Sequence, residues 1–241
     1  MKRFYADLHI LLSKLNVEAV TSTLKHLGFQ TIGFTVQAPT VEDEVAGITD
    51  HLRKSGLGYI RRIDLKPYEG KHFQIEVIRA RHDYDLLAAA CESKHDLRAS
   101  LRSGVDVVFI NMRSRFTGVG EADFKLMADA GKVFEVNLRP LTSKEGPERA
   151  YHLSHVSREL RFALRFKVPV ILSSGAVDMY DLRAPIDMAY ILTMAGLRFS
   201  DALKTVSENP EALWKTVRSR RHPGYIMPGV RVLGREEGDK T

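Results

Sequence analysis

Asp7 and His9 stand one residue apart in the run FYADLHI, and both side chains are of types that ligate metals or move protons. Glu135 lies in VFEVNLRP and Asp178 in SSGAVDMYD. Carboxylate oxygen and imidazole nitrogen suit several divalent ions. Together the four define one possible chemistry, a free-standing metal-dependent phosphoesterase with a reduced metal site. Their spacing weighs against it, because they are dispersed and no paired-histidine or cysteine-rich motif joins them. The plainer role for Asp7 and His9 is to hydrogen-bond loops. Nucleophilic catalysis has less support. There is no Gly-x-Ser-x-Gly elbow, and the lone cysteine, Cys91, sits in an apolar run that suggests a small buried side chain. Gly118 and Gly120 build no phosphate loop, and no dinucleotide fingerprint follows the first strand.

A second chemistry is binding to a polyanion. The formal charge is +6, a modest bias toward phosphate-bearing partners through attraction and counterion release. The basic residues fall into four groups. Arg98 and Arg102 are one helical turn apart. Arg113 and Arg115 follow, in a stretch whose sole acid between Leu97 and Gly120 is Asp106. Arg139 and Arg183 lie at expected strand ends. Lys215, Arg218, Arg220 and Arg221 form a run without an acid. Guanidinium forks suit phosphate oxygens and stack on bases, which makes all ten RNA-binding candidates. The competing reading is helix-dipole complementation or plain solvation.

These side chains need elements to position them. Strand-like runs are expected at residues 4–10, 31–36, 58–66, 73–80, 105–110, 133–138 and 169–174, being β-branched, aromatic or alternating. Helical patterns fall at residues 17–27, 40–54, 83–91, 97–101, 121–130, 147–166, 185–195, 200–206 and 210–218, with glycine stops at Gly28 and Gly131 and a Thr40 cap. Strands alternating with helices imply a parallel sheet with helical crossovers, and strands apolar on both faces are those of a buried sheet. The expected fold is α/β, a single distorted seven-stranded TIM-like barrel over residues 1–222. An open doubly wound sheet is the alternative. Residues 223–241 read as a flexible tail, since REEGDKT holds nothing to bury.

At 241 residues the chain suits one sizeable core. One cysteine excludes an intrachain disulfide. Neither a signal-peptide pattern nor a run of about 20 apolar residues is present, so the expected location is the cytoplasm, away from membranes.

The long helix has two apolar stripes. At about 100° per residue, Leu153, Val156, Leu160 and Leu164 share one face, while Tyr151, His155, Phe162 and Phe166 fall almost opposite. A neighbouring helix of the same chain is the plainer cover for the second stripe. A protein partner is the sharper one.

Four segments in order, DLHI, EVNLRPL (135–141), SSGAVDMYDLRAP (173–185) and ENPEALW (208–214), resemble the thirty-kilodalton RNase P protein family, whose archaeal members are the component 3 proteins. The motifs bracket residues 4–214. That family in turn looks like a degenerate relative of the polymerase-and-histidinol-phosphatase barrels, which begin with His-x-His and end their last strand in Ser-Asp-Ala-His. Here Asp7 replaces the first histidine, Gly175 an aspartate ligand and Val177 a histidine ligand. His9 and Glu135 remain, enough for a single ion or a hydrogen bond at the mouth but not for a multi-metal cluster. The resemblance implies a non-catalytic subunit of the endoribonuclease RNase P, the ribonucleoprotein that removes the five-prime leader of precursor tRNA. It implies a chain that binds the catalytic domain of the RNase P RNA together with component 2, meets precursor tRNA indirectly, and carries no cofactor, magnesium being used by the RNA.

Overall fold

A computed structural model describes residues 3–13, 15–35, 42–68, 71–111, 119–221, 224–227 and 230–231. Seven strands, β1 (Ala6–Leu11), β2 (Thr31–Thr35), β3 (Gly58–Leu65), β4 (Leu86–Cys91), β5 (Val107–Ile110), β6 (Val133–Asn137) and β7 (Val170–Ser173), pair in sequence order. Every pairing is parallel. Parallel neighbours require long crossovers, and helices supply them: α1 (Val17–His26), α2 (Glu42–Ser55), α3 (Lys71–Asp83), α4 (Lys94–Leu101), α5 (Glu121–Asp129), and α6 (Arg139–Ser143) with α7 (Gly146–Arg165). After β7 come a 3-10 turn (Met179–Asp181), α8 (Pro185–Met194), α9 (Phe199–Lys204) and α10 (Glu208–Arg220).

The sheet curls until β1 meets the end of β7, which settles the choice in favour of the barrel. The seam is bridged rather than laddered. Ile10 pairs with Ala176, and the Leu11 amide donates to the Ala176 carbonyl at 2.8 Å. Lower down, the turn between α9 and α10 fills the gap: the Ala6 amide donates to Val206 at 3.2 Å and the Leu172 amide to Thr205 at 2.9 Å. Ala6, Leu8, Ile60, Leu86, Val107, Phe109 and Ile171 fill the barrel, and Leu213 and Val217 of α10 close its floor. The larger apolar cluster lies outside the strands, beneath the helices.

Two expectations are corrected. Residues 73–80 form helix α3, not a strand. Their alternation is real, but Phe73, Val77 and Ala80 are buried at helical spacing, while Ile75 and Ile78 are exposed. Residues 86–91 form β4, not a helix. Alanine favours helix in isolation, yet all six residues of LLAAAC are buried between β3 and β5, where short side chains fit a barrel interior. With 73–80 helical and 86–91 a strand, the sheet has the expected seven strands. The Thr40 cap lies outside the described residues. Within the expected tail, β8 (Tyr225–Met227) pairs antiparallel with β9 (Val230–Arg231); the remaining residues beyond 231 lie outside the description.

Gly33 on β2 is where β1 passes closest. A Cβ there would fall within 3 Å of the Leu8 backbone, its Cα at 2.9 Å, and a strand backbone cannot step aside. Gly33→Ala is therefore expected to cost at least about 3 kcal/mol or prevent soluble folding. Gly120→Ala, with nothing within 4 Å of the added carbon, should cost no more than about 1 kcal/mol through a poorer helix cap. Thermal unfolding of the two variants checks this, and equal losses would show that the β1–β2 approach is not constrained.

Candidate functional site

Side chains at the carboxyl ends of the strands converge at the barrel mouth. Strand alternation sends Ile60, Arg62 and Asp64 of β3 inward together, and likewise Glu135 and Asn137 of β6. A register shift between Asp7 and Ile10 turns His9 toward the same point. There the His9 Nε2 lies 3.0 Å from Asp64 Oδ2 and its Nδ1 2.7 Å from Glu135 Oε1. Arg62 is fully buried. Its Nε donates to Asp64 Oδ1 at 2.7 Å and its Nη1 to the Leu8 carbonyl at 2.9 Å. Its Nη2 faces Glu135 Oε2 at 2.7 Å, a charge contact rather than an aligned hydrogen bond. The guanidinium lies 5.5 Å from the Phe109 ring centre. Ser173 of β7 donates its hydroxyl to Glu135.

The charges hold one another in place. Burial and the Arg62 charge press the His9 imidazole toward neutrality, but Asp64 and Glu135 outweigh them and hold its pKa up at about 9. Burial alone would raise Asp64 and Glu135, yet Arg62 and His9 hold both below the usual carboxylate range. Two cations thus face two anions. Asp7 is apart from this exchange. It accepts the Ser174 amide at 3.2 Å and the His9 amide at 3.2 Å, so it closes the β1–β7 seam, and burial lifts it to about 6.

The expected vacancies are filled by structure. Gly175 takes φ +63°, and a Cβ there would overlap the Asn137 amide, whose Cγ lies 2.7 Å away. Asn137 occupies the room an aspartate at 175 would need. The Val177 carbonyl accepts from the Asn16 side chain at 2.8 Å and its amide donates to Asp181 at 3.1 Å, which pins the loop after β7 to the loop after β1. Asp178 does not join the mouth. It is exposed and accepts the amides of Tyr180 and Asp181, so the four-residue ligand set read from the sequence is not assembled. Among the described residues, no group of three or more His, Cys, Asp or Glu side chains is arranged to hold a metal. Cys91 is buried and pushed up to about 12 by that burial, unsuited to nucleophilic work.

The model of the family described as RNase P subunit p30 matches residues 4–222. The chain belongs to that family. It is 27% identical over 222 residues to ribonuclease P protein component 3 of Methanosarcina mazei, covering 92% of this chain and 91% of the relative. It is 28% identical to the Methanosarcina acetivorans component 3, covering 88% and 87%. In fold it is similar to a chain from a cryo-EM structure of archaeal ribonuclease P with mature tRNA, at a TM-score of 0.82 and 20% identity, covering 95% of this chain and 99% of that one. It is also similar, more distantly, to A. niger ochratoxinase, at a TM-score of 0.58 and 10% identity, over 88% of this chain and 71% of that one.

In this p30-family barrel the basic candidates separate. Arg139 and Arg183 are exposed beside the mouth, the latter donating to the Tyr180 and Leu182 carbonyls at 2.7 and 2.6 Å. Arg102 is exposed at the end of α4, and Arg98 lies 3.5 Å from the buried Asp123 carboxylate. Arg113 and Arg115 lie outside the described residues. The C-terminal group does not form one patch. Lys215 pairs with Glu211, Arg218 lies 5.3 Å over Trp214, and Arg220 and Arg221 reach Asp106 and Asp85 under the barrel floor. On α7, Phe162 packs 5.8 Å from Phe124 of α5, and the Tyr151 ring lies tilted 4.3 Å from the buried His155. Phe166 is partly buried against the core, and Leu164, placed on the apolar face by periodicity, is half exposed.

Three residues went unread in the sequence. Arg62 and Asp64 sat in GYIRRIDL, where charges at i and i+2 in a strand of a buried parallel sheet were the available signal. Glu159 on α7 is buried, has no hydrogen bond to a described residue, and lines a small pocket with His152, Val156 and Leu141. Burial pushes it up to about 8. The folded chain keeps a proton there that the unfolded chain releases above its ordinary 4.5, so stability falls as pH rises between these values. His9 adds a loss in the same direction between 6.5 and about 9. Glu159→Gln should flatten the profile, its advantage in Tm over the parent growing from about pH 5 to about pH 8. Parallel Tm profiles for the two proteins would mean that Glu159 titrates normally.

Proposed function

We propose that this chain is a non-catalytic protein subunit of RNase P, which binds and braces the catalytic domain of the RNA in concert with component 2. The family match across residues 4–222 carries the reading. The mouth supports it: a catalytic barrel keeps open ligand positions or a free nucleophile there, whereas here the ionisable groups answer one another. In this role the chain meets precursor tRNA through the assembly, magnesium serves the RNA, and the protein works in the cytoplasm with the other archaeal RNase P proteins. No described helix is long and apolar enough to cross a membrane. The phosphoesterase alternative requires Asp178 at the mouth, and it is not there.

RNA recognition on this reading runs through arginines that the fold leaves exposed, Arg139 and Arg183 beside the mouth and Arg102 on α4. Arg220 and Arg221, held by buried or half-buried aspartates, serve the barrel floor first. The test is reconstitution with RNase P RNA and the partner proteins at limiting magnesium. Adding this chain with component 2 should raise precursor-tRNA cleavage, and no gain would overturn the assignment. Arg139→Ala should weaken RNA binding across sequences and lower the slope of log affinity against log salt by about 1, with the folded state unchanged by circular dichroism. An unchanged slope would remove Arg139 from the interface.

A further inference from the structure

Side chains of metal-ligating types meet at the mouth without being arranged to hold an ion. Two carboxylates, Asp64 and Glu135, and one imidazole, His9, converge at the carboxyl end of a parallel barrel, and such oxygen and nitrogen sets suit Mn2+, Zn2+ or Mg2+. They do not fit an ion as they stand. Both His9 nitrogens point at carboxylates, 3.0 and 2.7 Å away. One Glu135 oxygen takes His9 and Ser173, and the other faces the guanidinium. One Asp64 oxygen takes Arg62 Nε and the other His9. Each carboxylate oxygen already faces a cation or a donor, and the centre itself is filled by Arg62, whose side chain has no solvent exposure.

We propose that Arg62 is the resident cation of this site: its guanidinium takes the place and the charge of a divalent ion, so the chain closes its own mouth to metals. Three observations carry this. Arg62 reaches inward from β3 to partners on three strands, Asp64 on its own strand, Glu135 on β6 and the Leu8 carbonyl on β1, as a bound ion would gather ligands. The small Ala88 and Ala90 of neighbouring β4 line the same interior cluster and leave room for a long side chain. A fully buried guanidinium is costly unless paired and hydrogen-bonded, so its retention needs these carboxylates, and the carboxylates need it. Shortening the side chain leaves the donors and removes the cation, which turns the cluster into a receptive metal site.

Three variants of the full chain test this, with Mn2+ alone as the probe. The parent should leave Mn2+ free in electron paramagnetic resonance titration. Arg62→Ala should take up about one equivalent, and its Tm should rise on adding Mn2+. Arg62→Lys keeps a cation in reach of Asp64 and Glu135, although it loses the fork, and should fold without binding the ion. Arg62→Met fills similar space but leaves Asp64 and Glu135 facing His9 as their one remaining cation, and should melt below Arg62→Lys. Stoichiometric Mn2+ at the mouth of the parent, lost in Asp64→Asn, would overturn the proposal. So would a folded Arg62→Ala indifferent to Mn2+, or an Arg62→Met as stable as Arg62→Lys. Should Arg62→Ala fail to fold, the order of the lysine and methionine variants decides. None of these readouts depends on RNase P activity, so the outcome stands apart from the assignment of the family role.

Discussion

A guanidinium with no access to solvent sits between two carboxylates in the middle of a seven-stranded barrel, and much of the architecture follows from keeping it satisfied. Stripping such a group of water costs several kcal/mol unless ion pairs and hydrogen bonds replace the hydration. Arg62 obtains them from Asp64, Glu135 and the Leu8 carbonyl. Those partners lie on strands that are neighbours neither in sequence nor around the sheet. The curvature that brings β1, β3 and β6 within reach of one side chain is therefore also the curvature that brings β1 to β7. At that seam a single backbone bridge and the Asp7 contact with the Ser174 amide replace a full ladder. The electrostatic knot inside the barrel and the incomplete pairing at its edge are mutually dependent.

The same arrangement extends to positions 7, 175 and 177, where the resemblance to polymerase-and-histidinol-phosphatase barrels would place metal ligands. At each of these positions the polar groups and the space around them are answered from within the chain. Asn137 takes the space beside Gly175, Asn16 takes the Val177 carbonyl, and the Ser174 amide takes the Asp7 carboxylate. Two ligand-type residues that remain, His9 and Glu135, bond each other and are drawn into charge balance with Arg62 and Asp64. Buried polar groups need partners, and these residues find hydrogen bonds or opposite charges within the chain.

The element types were largely legible because hydrophobic period separates buried strands from amphipathic helices. Legibility failed where period and packing disagree. FQIEVIRA alternates like a strand, yet places Phe73, Val77 and Ala80 on one helical face. LLAAAC has helix-forming residues, yet its small side chains are what a crowded barrel interior accepts. At the site, His9 and Glu135 were visible as residue types, and the motifs identified the family. Arg62 was invisible as a core residue because an arginine in a sequence reads as surface; only the inward partner on β6, 73 positions further along the chain, makes its burial affordable. Asp178 misled for the opposite reason. A carboxylate beside a strand end reads as a ligand, and local amide caps claimed it instead.

Arginine does three jobs in this chain, and the distinction decides what an anionic partner meets. Arg62 is spent in the interior. Arg81, Arg220 and Arg221 gather beneath the floor around Asp106 and Asp85, where two carboxylates answer most of the charge of three guanidiniums and occupy part of their donors. Arg102, Arg139 and Arg183 are left exposed. A net charge of +6 therefore describes the approach of a polyanion at distances near the Debye length, not its final contacts. At contact range exposed guanidiniums matter, and Arg139, Arg183 and Arg102 bring three of them to the rim of the mouth and the end of α4. The carboxyl end of the strands, where functional groups gather in parallel barrels, thus carries exposed arginines at its rim, while the ionisable groups of His9, Arg62, Asp64 and Glu135 inside it face one another.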